Sequence, residues 1–178
     1  VDRVRSPVDA FVLSRLEAAG LGLAPEADRS ALLRRASLDL LGLPPSLAAP
    51  SAYRADTAPG AYERMIDRLL GDPRYGERWG RHWLDVARYS DGMGGSTNNA
   101  RLPHAWQYRD WVVRQWNSDL PYDQFVRSQL AGDLLDDWQA QPGTGFLALG
   151  PTYRSDGGDP DSVAQAKSET LDDRVDTI

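Results

Sequence analysis

The segment YGERWGRHWLDVARY, residues 75–89, decides the fold, because its aromatic and apolar residues recur at helical spacing. Successive residues of a helix are about 100° apart, so His82 shares a face with Trp79 and Asp85. Arg78 lies on the same face, and Trp83 is about a quarter-turn away, on the side of the apolar stripe. The segment therefore predicts a helix that carries an imidazole at the edge of its apolar stripe.

Helical periodicity extends over the rest of the chain. The stretch SPVDAFVLSRLEAAG has a capping residue at Ser6 and a terminal Gly20, and DRSALLRRASLDLLG repeats this pattern from Asp28 to Gly42. Further helical stripes begin near residues 62, 104, 121 and 161. No stretch alternates apolar and polar residues as a half-buried strand does. The sequence predicts an all-α fold, a single irregular bundle of about six to eight helices.

Residues 1–178 are expected to form one helical domain, since this length suits a single hydrophobic core. One long Gly/Asn-rich loop, DGMGGSTNNARLP at residues 91–103, interrupts the helical pattern. Loops of this length are uncommon unless they have a function or are mobile. The chain starts without methionine and stops within a helical pattern, so we interpret it as a fragment of a longer protein.

The composition excludes several classes of function. A net charge of −6 and an isoelectric point of about 4.9 argue against a nucleic-acid partner and against an anionic membrane surface. No apolar run approaches the ~20 residues of a membrane span. The chain has no cysteine, so these residues hold no disulfide, thiolate nucleophile or covalently attached haem.

His82 is the leading candidate for a functional side chain, and three interpretations are open. Asp85 is placed to accept a hydrogen bond from the Nδ1–H group of His82, which would leave Nε2 free. A metal- or haem-ligating histidine has such a partner, and so does a purely structural one. General acid–base work is the third interpretation. From the residues alone, the structural role is favoured.

The last helical stretch carries four carboxylates at spacings of three or four residues: Glu169, Asp172, Asp173 and Asp176. Like charges at this spacing repel, so cations are expected to face them. The arginines of the aromatic segments are the expected partners: Arg78, Arg81, Arg88 and Arg109. An arginine–carboxylate network between helices is favoured over the alternative, a divalent-metal site.

The turn SDGGDPDS contains three further carboxylates, Asp156, Asp159 and Asp161. It lacks the residue order and the terminal glutamate of a calcium-binding EF-hand loop. Aspartates in a glycine-rich turn commonly accept hydrogen bonds from the backbone two or three residues on. The pattern therefore predicts an Asp-rich turn or a helix cap.

Several segments, in order, resemble a known family. They are SPVDAFVLSRLEAAGL, ADRSALLRRASLDLLGLPP, YERMIDRLLGDPRYGERWGRHWLDVARYSD, AWQYRDWVVRQWNSDLPYDQFVRSQLAGDLL, TGFLALGP and LDDRVDT. The chain resembles, over nearly its whole length, the domain of unknown function of the large cytochrome-associated proteins of planctomycetes. The blocks YGERW-x-RHWLD-x-ARY and YRDWV…N-x-D-x-PYD-x-F carry the most specific part of the resemblance.

The resemblance implies a setting that composition does not show. Members of this family are exported proteins, often with a cytochrome-c-like domain ahead and another uncharacterised domain behind. After the segment that matches LDDRVDT they typically continue into a Cys-x-x-Cys-His haem-attachment motif, and this chain ends before that point. The expected location is extracytoplasmic, either periplasmic or secreted. Haem c is expected in the parent protein, with no cofactor bound by this fragment alone.

A haem held by that motif takes its second axial ligand from another part of the protein. Four residues of this chain are candidates: His82, His104, Met65 and Met93. The resemblance favours His82, which lies in the RHW block with Trp79 and Trp83 beside it and Asp85 to orient it. A structural role for His82 remains the competing interpretation.

Three functions follow as hypotheses. The first is a helical module of an exported multidomain haem protein, in electron transfer or redox chemistry, whose partners are other domains of the same chain or a redox protein. The second is a non-redox glycan- or protein-binding module that uses Trp106, Trp111 and residues 91–103. The third is a polysaccharide-acting enzyme with a carboxylate pair chosen from three aspartates: Asp85, Asp91 and Asp176.

Overall fold

The computed structural model describes residues 4–92, 101–153, 155 and 158–177. These residues form eight α-helices: α1 (Pro7–Ala18), α2 (Arg29–Leu41), α3 (Ala49–Ala55), α4 (Ala61–Leu70), α5 (Arg74–Val86), α6 (Ala105–Asn117), α7 (Tyr122–Ala131) and α8 (Pro160–Thr177). Two 3₁₀ helices, Gly132–Leu134 and Gln141–Ala148, lie between α7 and α8. The described ranges contain no β-strand, and the all-α prediction is confirmed.

Short-range signals set the helix ends. The Ser6 hydroxyl accepts a hydrogen bond from the backbone N–H of Asp9, whose carboxylate in turn accepts from the N–H of Ser6. Asp28 caps α2 through the N–H of Ala31, and Gly42 ends that helix in the left-handed region at φ 70°. None of the described helices combines the length and apolar character that a membrane crossing requires.

Helix α1 exposes several of its apolar side chains to solvent. It buries none of its residues, and Phe11 is 76% exposed. The periodicity correctly predicted the helix, but the stripe that contains Val8 and Val12 faces solvent. The capping box and the proline at the first helical position therefore support this helix more than tertiary packing does.

Helices α2, α3 and α4 share a small core. It contains Leu33 and Ala36 of α2, Tyr53 of α3, and Met65 of α4. The Arg29 guanidinium lies 4.1 Å from the centre of the Tyr53 ring and donates hydrogen bonds to the carbonyl oxygens of Tyr53 and Asp56. These contacts hold α3 against α2.

The second core is aromatic and lies between α5, α6, α7 and the 3₁₀ helix Gln141–Ala148. Its buried members include Tyr108, Trp111, Val112 and Phe125, with Trp83 packed at the edge. The rings of Trp111 and Phe125 stack with their centres 5.2 Å apart. The α5 helix approaches α6 closely because it carries glycine at positions 76 and 80, both buried. This core holds one side of α5 rigidly.

A buried hydrogen-bond network joins three of these helices. The indole N–H of Trp83 donates to the Tyr108 hydroxyl and to the Oε1 atom of Gln129, at 3.0 Å each. The Tyr108 hydroxyl donates to the same Oε1 atom at 2.6 Å. Burial raises the pKa of Tyr108 above its ordinary value, so the hydroxyl stays protonated as a donor. The network satisfies every polar group that these three side chains bring into the core.

Replacing Gln129 by leucine is expected to lower the free energy of unfolding by about 1–3 kcal/mol, because the buried Tyr108 hydroxyl would lose its acceptor. Gln124→Leu, on the exposed side of the same helix, is the matched control and is expected to change stability by less than about 0.5 kcal/mol. Urea titration followed by circular dichroism measures both variants. If the Gln129→Leu and Gln124→Leu variants had equal free energies of unfolding, the proposed stabilising role of the hydrogen-bond network would be contradicted.

Candidate functional site

Helix α5 turns its two tryptophans toward the protein interior. The indole N–H of Trp79 donates to the carbonyl oxygen of Leu40 at 3.1 Å, and its ring stacks on Trp116 with 6.4 Å between ring centres. Trp83 is anchored by Tyr108 and by an edge-on contact with Phe125 at 4.9 Å. Both predicted neighbours of His82 are therefore immobilised by their own contacts, and α5 is a rigid support for its outer face.

His82 lies on that outer face and is exposed. Its ring centre is 5.5 Å from that of Trp79, with the two rings tilted by 54°. In the described part of the chain neither ring nitrogen has a hydrogen-bond partner, and Asp85 is exposed without a bond to His82. The expected hydrogen bond from Nδ1 to Asp85 is thus not formed, because both side chains extend into solvent. The imidazole is accessible through both nitrogens.

The other sequence-predicted axial ligands differ in accessibility. Met65 is 2% exposed and belongs to the core of α2, α3 and α4, so the structure contradicts its candidacy as a ligand. His104 is exposed just before α6 and lines a cavity of about 420 Å³ with Leu102 and Leu149. Met93 lies outside the described residues. Two histidines remain as accessible candidates.

Arg78 is a packing residue of the α2–α5 contact. Its Cδ atom would lie 2.9 Å from a Cβ atom built on Gly42, so the side chain fills the space that this glycine leaves. The Arg78 Nε atom is buried and has no hydrogen-bond partner among the described residues. Arg78 therefore does not take part in the expected network with α8.

The expected network on α8 reduces to one ion pair within the described part. Arg88 lies 3.7 Å from the carboxylate of Asp173, while Arg109 pairs with Asp91 and Asp110 instead. The Asp173 carboxylate, by accepting a hydrogen bond from Tyr153, raises the pKa of that phenol. The remaining carboxylates of this face are exposed: Glu169, Asp172 and Asp176. Among described residues, no cluster of three or more potential ligands could hold a metal ion.

One of the aspartates in the turn before α8 caps this helix. The Asp159 carboxylate accepts a hydrogen bond from the backbone N–H of Ser162 at 3.0 Å, which satisfies a free donor in the first turn of α8. The predicted helix cap is confirmed at this position. Asp161 is exposed within the first turn, and Asp156 lies outside the described residues.

The three carboxylates proposed for a polysaccharide-acting enzyme have different surroundings. Asp91 accepts a hydrogen bond from the Tyr89 hydroxyl and lies 3.4 Å from the Arg109 guanidinium. Burial raises the pKa of Tyr89, with the Asp91 charge as a further cause. Asp85 and Asp176 are exposed on α5 and α8. The Asp91 carboxylate is thus already engaged by Tyr89 and Arg109, so it is not a free carboxylate for a catalytic pair.

The aromatic surface predicted for glycan binding needs one correction. Trp106 is 48% exposed, and its indole N–H is fixed to the carbonyl oxygen of Pro103. Trp111 is 1% exposed and donates to the carbonyl oxygen of Gln139 at 2.9 Å. The prediction of Trp111 as a surface residue is wrong, because it faces the aromatic core. Residues 91–103 are the third predicted component of this surface, and positions 93–100 lie outside the described part of the chain.

The structure reveals a second exposed tryptophan that sequence reasoning missed. Trp138 follows the 3₁₀ helix Gly132–Leu134 and is 79% exposed. Together with Trp106 it lines an open groove of about 850 Å³ between α6 and the segment after α7. A tryptophan inside the polar stretch DDWQAQP was a usable signal, since an indole in such a stretch has no apolar stripe to join.

Comparison with known proteins identifies a family for this chain but no individual related protein. None of the curated proteins and none of the solved structures matches this chain. A family described as PSCyt2, protein of unknown function (DUF1549), matches residues 7–178. Because this match covers almost the entire sequence, the chain belongs to the PSCyt2 (DUF1549) family of proteins of unknown function.

Proposed function

We propose that this domain is the helical module of an exported multidomain haem protein that works in electron transfer or redox chemistry, with His82 as an axial ligand. One observation carries the proposal. His82 is exposed on a helix whose tryptophans are anchored in the core, and both its ring nitrogens are free of hydrogen bonds within the described residues. Histidine is the commonest metal ligand and one of the residues that hold haem iron, so an accessible imidazole on a rigid helix suits this role.

The residues around His82 fit this role. The indole of Trp79 lies against one side of the imidazole, and the exposed Val86, one helical turn on, adds apolar surface beside it. Haem, when bound, supplies one-electron chemistry. Trp79, which is anchored by Leu40 and Trp116, supplies a fixed apolar surface beside the imidazole, and apolar surface near a bound metal tunes its potential.

The setting of the domain is part of the same proposal. The resemblance to planctomycete cytochrome-associated proteins supports an extracytoplasmic location, periplasmic or secreted, with haem c carried elsewhere in the parent protein. Its partners would be other domains of its own chain and a redox protein. The exposed outer face of α5 is the surface through which such contacts to His82 would form.

His82→Ala is expected to abolish haem ligation by this chain. The probe is an N-acetylated haem c peptide that carries its Cys-x-x-Cys-His segment and has an open axial position. Adding the wild-type chain should shift the Soret band toward that of a haem with two histidine ligands, because a second imidazole completes the coordination. Absorbance and low-temperature electron paramagnetic resonance measure the shift.

His104→Ala is the matched control, since it removes the other exposed imidazole. This variant is expected to keep the wild-type spectrum. A spectrum that survives in His82→Ala, or is lost in His104→Ala instead, would contradict the assignment of His82. Circular dichroism of each variant confirms that the helices are intact.

A specific observation favours a second candidate function, glycan binding without redox chemistry. Trp111 is buried, but Trp106 has a partly exposed ring, and Trp138 lines the same groove. Exposed aromatic rings beside a groove are typical of binding sites, because their apolar area is stabilised only when a ligand covers it. A glycan titration that shifts the tryptophan fluorescence tests this function.

A further inference from the structure

The aromatic part of the groove consists of Trp106 and Trp138. Trp106 lies in the first turn of α6, and its N–H bond to Pro103 holds the ring in place while leaving part of it exposed. Trp138 has no hydrogen-bond partner among the described residues, so its indole N–H, unlike that of Trp106, is available to a ligand. The groove, about 850 Å³ in volume, is within the range of ligand-binding clefts.

The polar part of the groove consists mainly of amides. The side chains of Gln107, Gln115 and Gln139 line it, and within the described ranges none of them has a hydrogen-bond partner. Each offers two N–H donors and a carbonyl acceptor. Asn117 forms a fixed wall, because its side chain is already bonded to Pro73 and Gly76. The groove therefore presents free donors and free acceptors side by side.

The charge of the groove restricts the ligand further. Arg114 is the one charged residue that lines it within the described part, and the whole chain has a net charge of −6. A polyanionic ligand would be repelled by this net charge and would find a single cation. The groove favours an uncharged ligand.

We propose that this groove binds a neutral oligosaccharide. The apolar faces of two sugar rings stack on Trp106 and Trp138, and hydroxyl groups, which both donate and accept, hydrogen-bond to Gln107, Gln115 and Gln139. The inference rests on the second candidate function, glycan binding, and is independent of any haem ligation by His82.

A proline-rich peptide is the main competing ligand, since it also packs on tryptophan. Proline has no backbone N–H group, so such a peptide offers mostly acceptors. The acceptor oxygens of three free glutamines would then remain unpaired in the complex, which costs binding free energy. Hydroxyl groups pair with both ends of each amide, so the lining fits a saccharide better.

Isothermal titration calorimetry tests the proposal with four neutral hexasaccharides: cellohexaose, xylohexaose, mannohexaose and hexa-N-acetylchitohexaose. At least one is expected to bind the wild-type chain. Trp138→Ala and Trp106→Ala are each expected to weaken that binding by about tenfold or more, because a stacking surface is lost. Phe11→Ala on α1 removes an equally exposed aromatic ring outside the groove and is expected to bind like wild type.

Three results would overturn the proposal. The first is no binding of any neutral hexasaccharide, which would also remove glycan binding as a candidate function. The second is tighter binding of a heparin-derived hexasaccharide or of a ten-residue polyproline peptide. The third is saccharide binding that both tryptophan variants retain, which would leave glycan binding intact and place it outside this groove.

Discussion

Gly76→Ala is expected to force α5 away from α6 and to lower the free energy of unfolding by about 3 kcal/mol or more. A Cβ atom at this position would lie 2.4 Å from the carbonyl oxygen of Val113 and 2.6 Å from the amide of Asn117. Neither neighbour is free to move, because one is helix backbone and the other is bonded to Pro73 and to Gly76 itself. The helices must therefore separate.

Gly80→Ala, one turn further along α5, is the matched control. Its Cβ atom would lie 3.4 Å from Val112 and 3.5 Å from Val113, which is ordinary van der Waals contact. Alanine in a helix interior is favoured over glycine by about 0.5–1 kcal/mol, so this variant is expected to be as stable as wild type or more so. Urea titration of both variants gives the comparison. Equal losses at the two glycines would contradict the α5–α6 contact.

Trp111→Ala is expected to lower the free energy of unfolding by about 3–5 kcal/mol, since it opens a large cavity in the aromatic core. The indole is 1% exposed, stacks on Phe125 and Tyr108, and donates to the carbonyl oxygen of Gln139. Domains are typically stable by about 5–15 kcal/mol, so this loss leaves the variant marginally folded. Thermal unfolding followed by near-ultraviolet circular dichroism measures it.

Trp106→Ala, on the same helix, is the control for this change. Its ring is half exposed, and its removal is expected to cost less than about 1 kcal/mol. Should the two tryptophan variants unfold at the same temperature, the burial of Trp111 and the surface position of Trp106 would both be wrong. This control also shows that a loss of saccharide binding in Trp106→Ala does not come from unfolding.

The sequence was informative about helix ends, because the physics that sets them acts over a few residues. Ser6, Asp28 and Gly42 have the predicted capping roles, and Asp159 caps α8 as one of the predicted Asp-rich turn residues. Side-chain oxygens that bond backbone N–H groups two or three residues on need no distant partner. Local signals of this kind can therefore be recognised in a single sequence.

The candidate site was less predictable. Periodicity placed His82 at the edge of an apolar stripe, and its exposure agrees with an edge position. It also suggested a bond to Asp85 that does not form, since spacing along a helix gives proximity but not rotamers. The groove escaped prediction because Trp106 and Trp138 belong to different segments, and no local pattern connects them.

By itself the sequence determined that this chain is helical, where most helices begin and end, and which residues share a face. The tertiary structure alone decided which faces are covered: the apolar stripe of α1 faces solvent, while Trp111 and Met65 lie in cores. The physical reason is that periodicity arises from bonds within one helix. Burial depends on contacts between segments far apart in the chain. The sequence of a single helix does not determine which other segments pack against it.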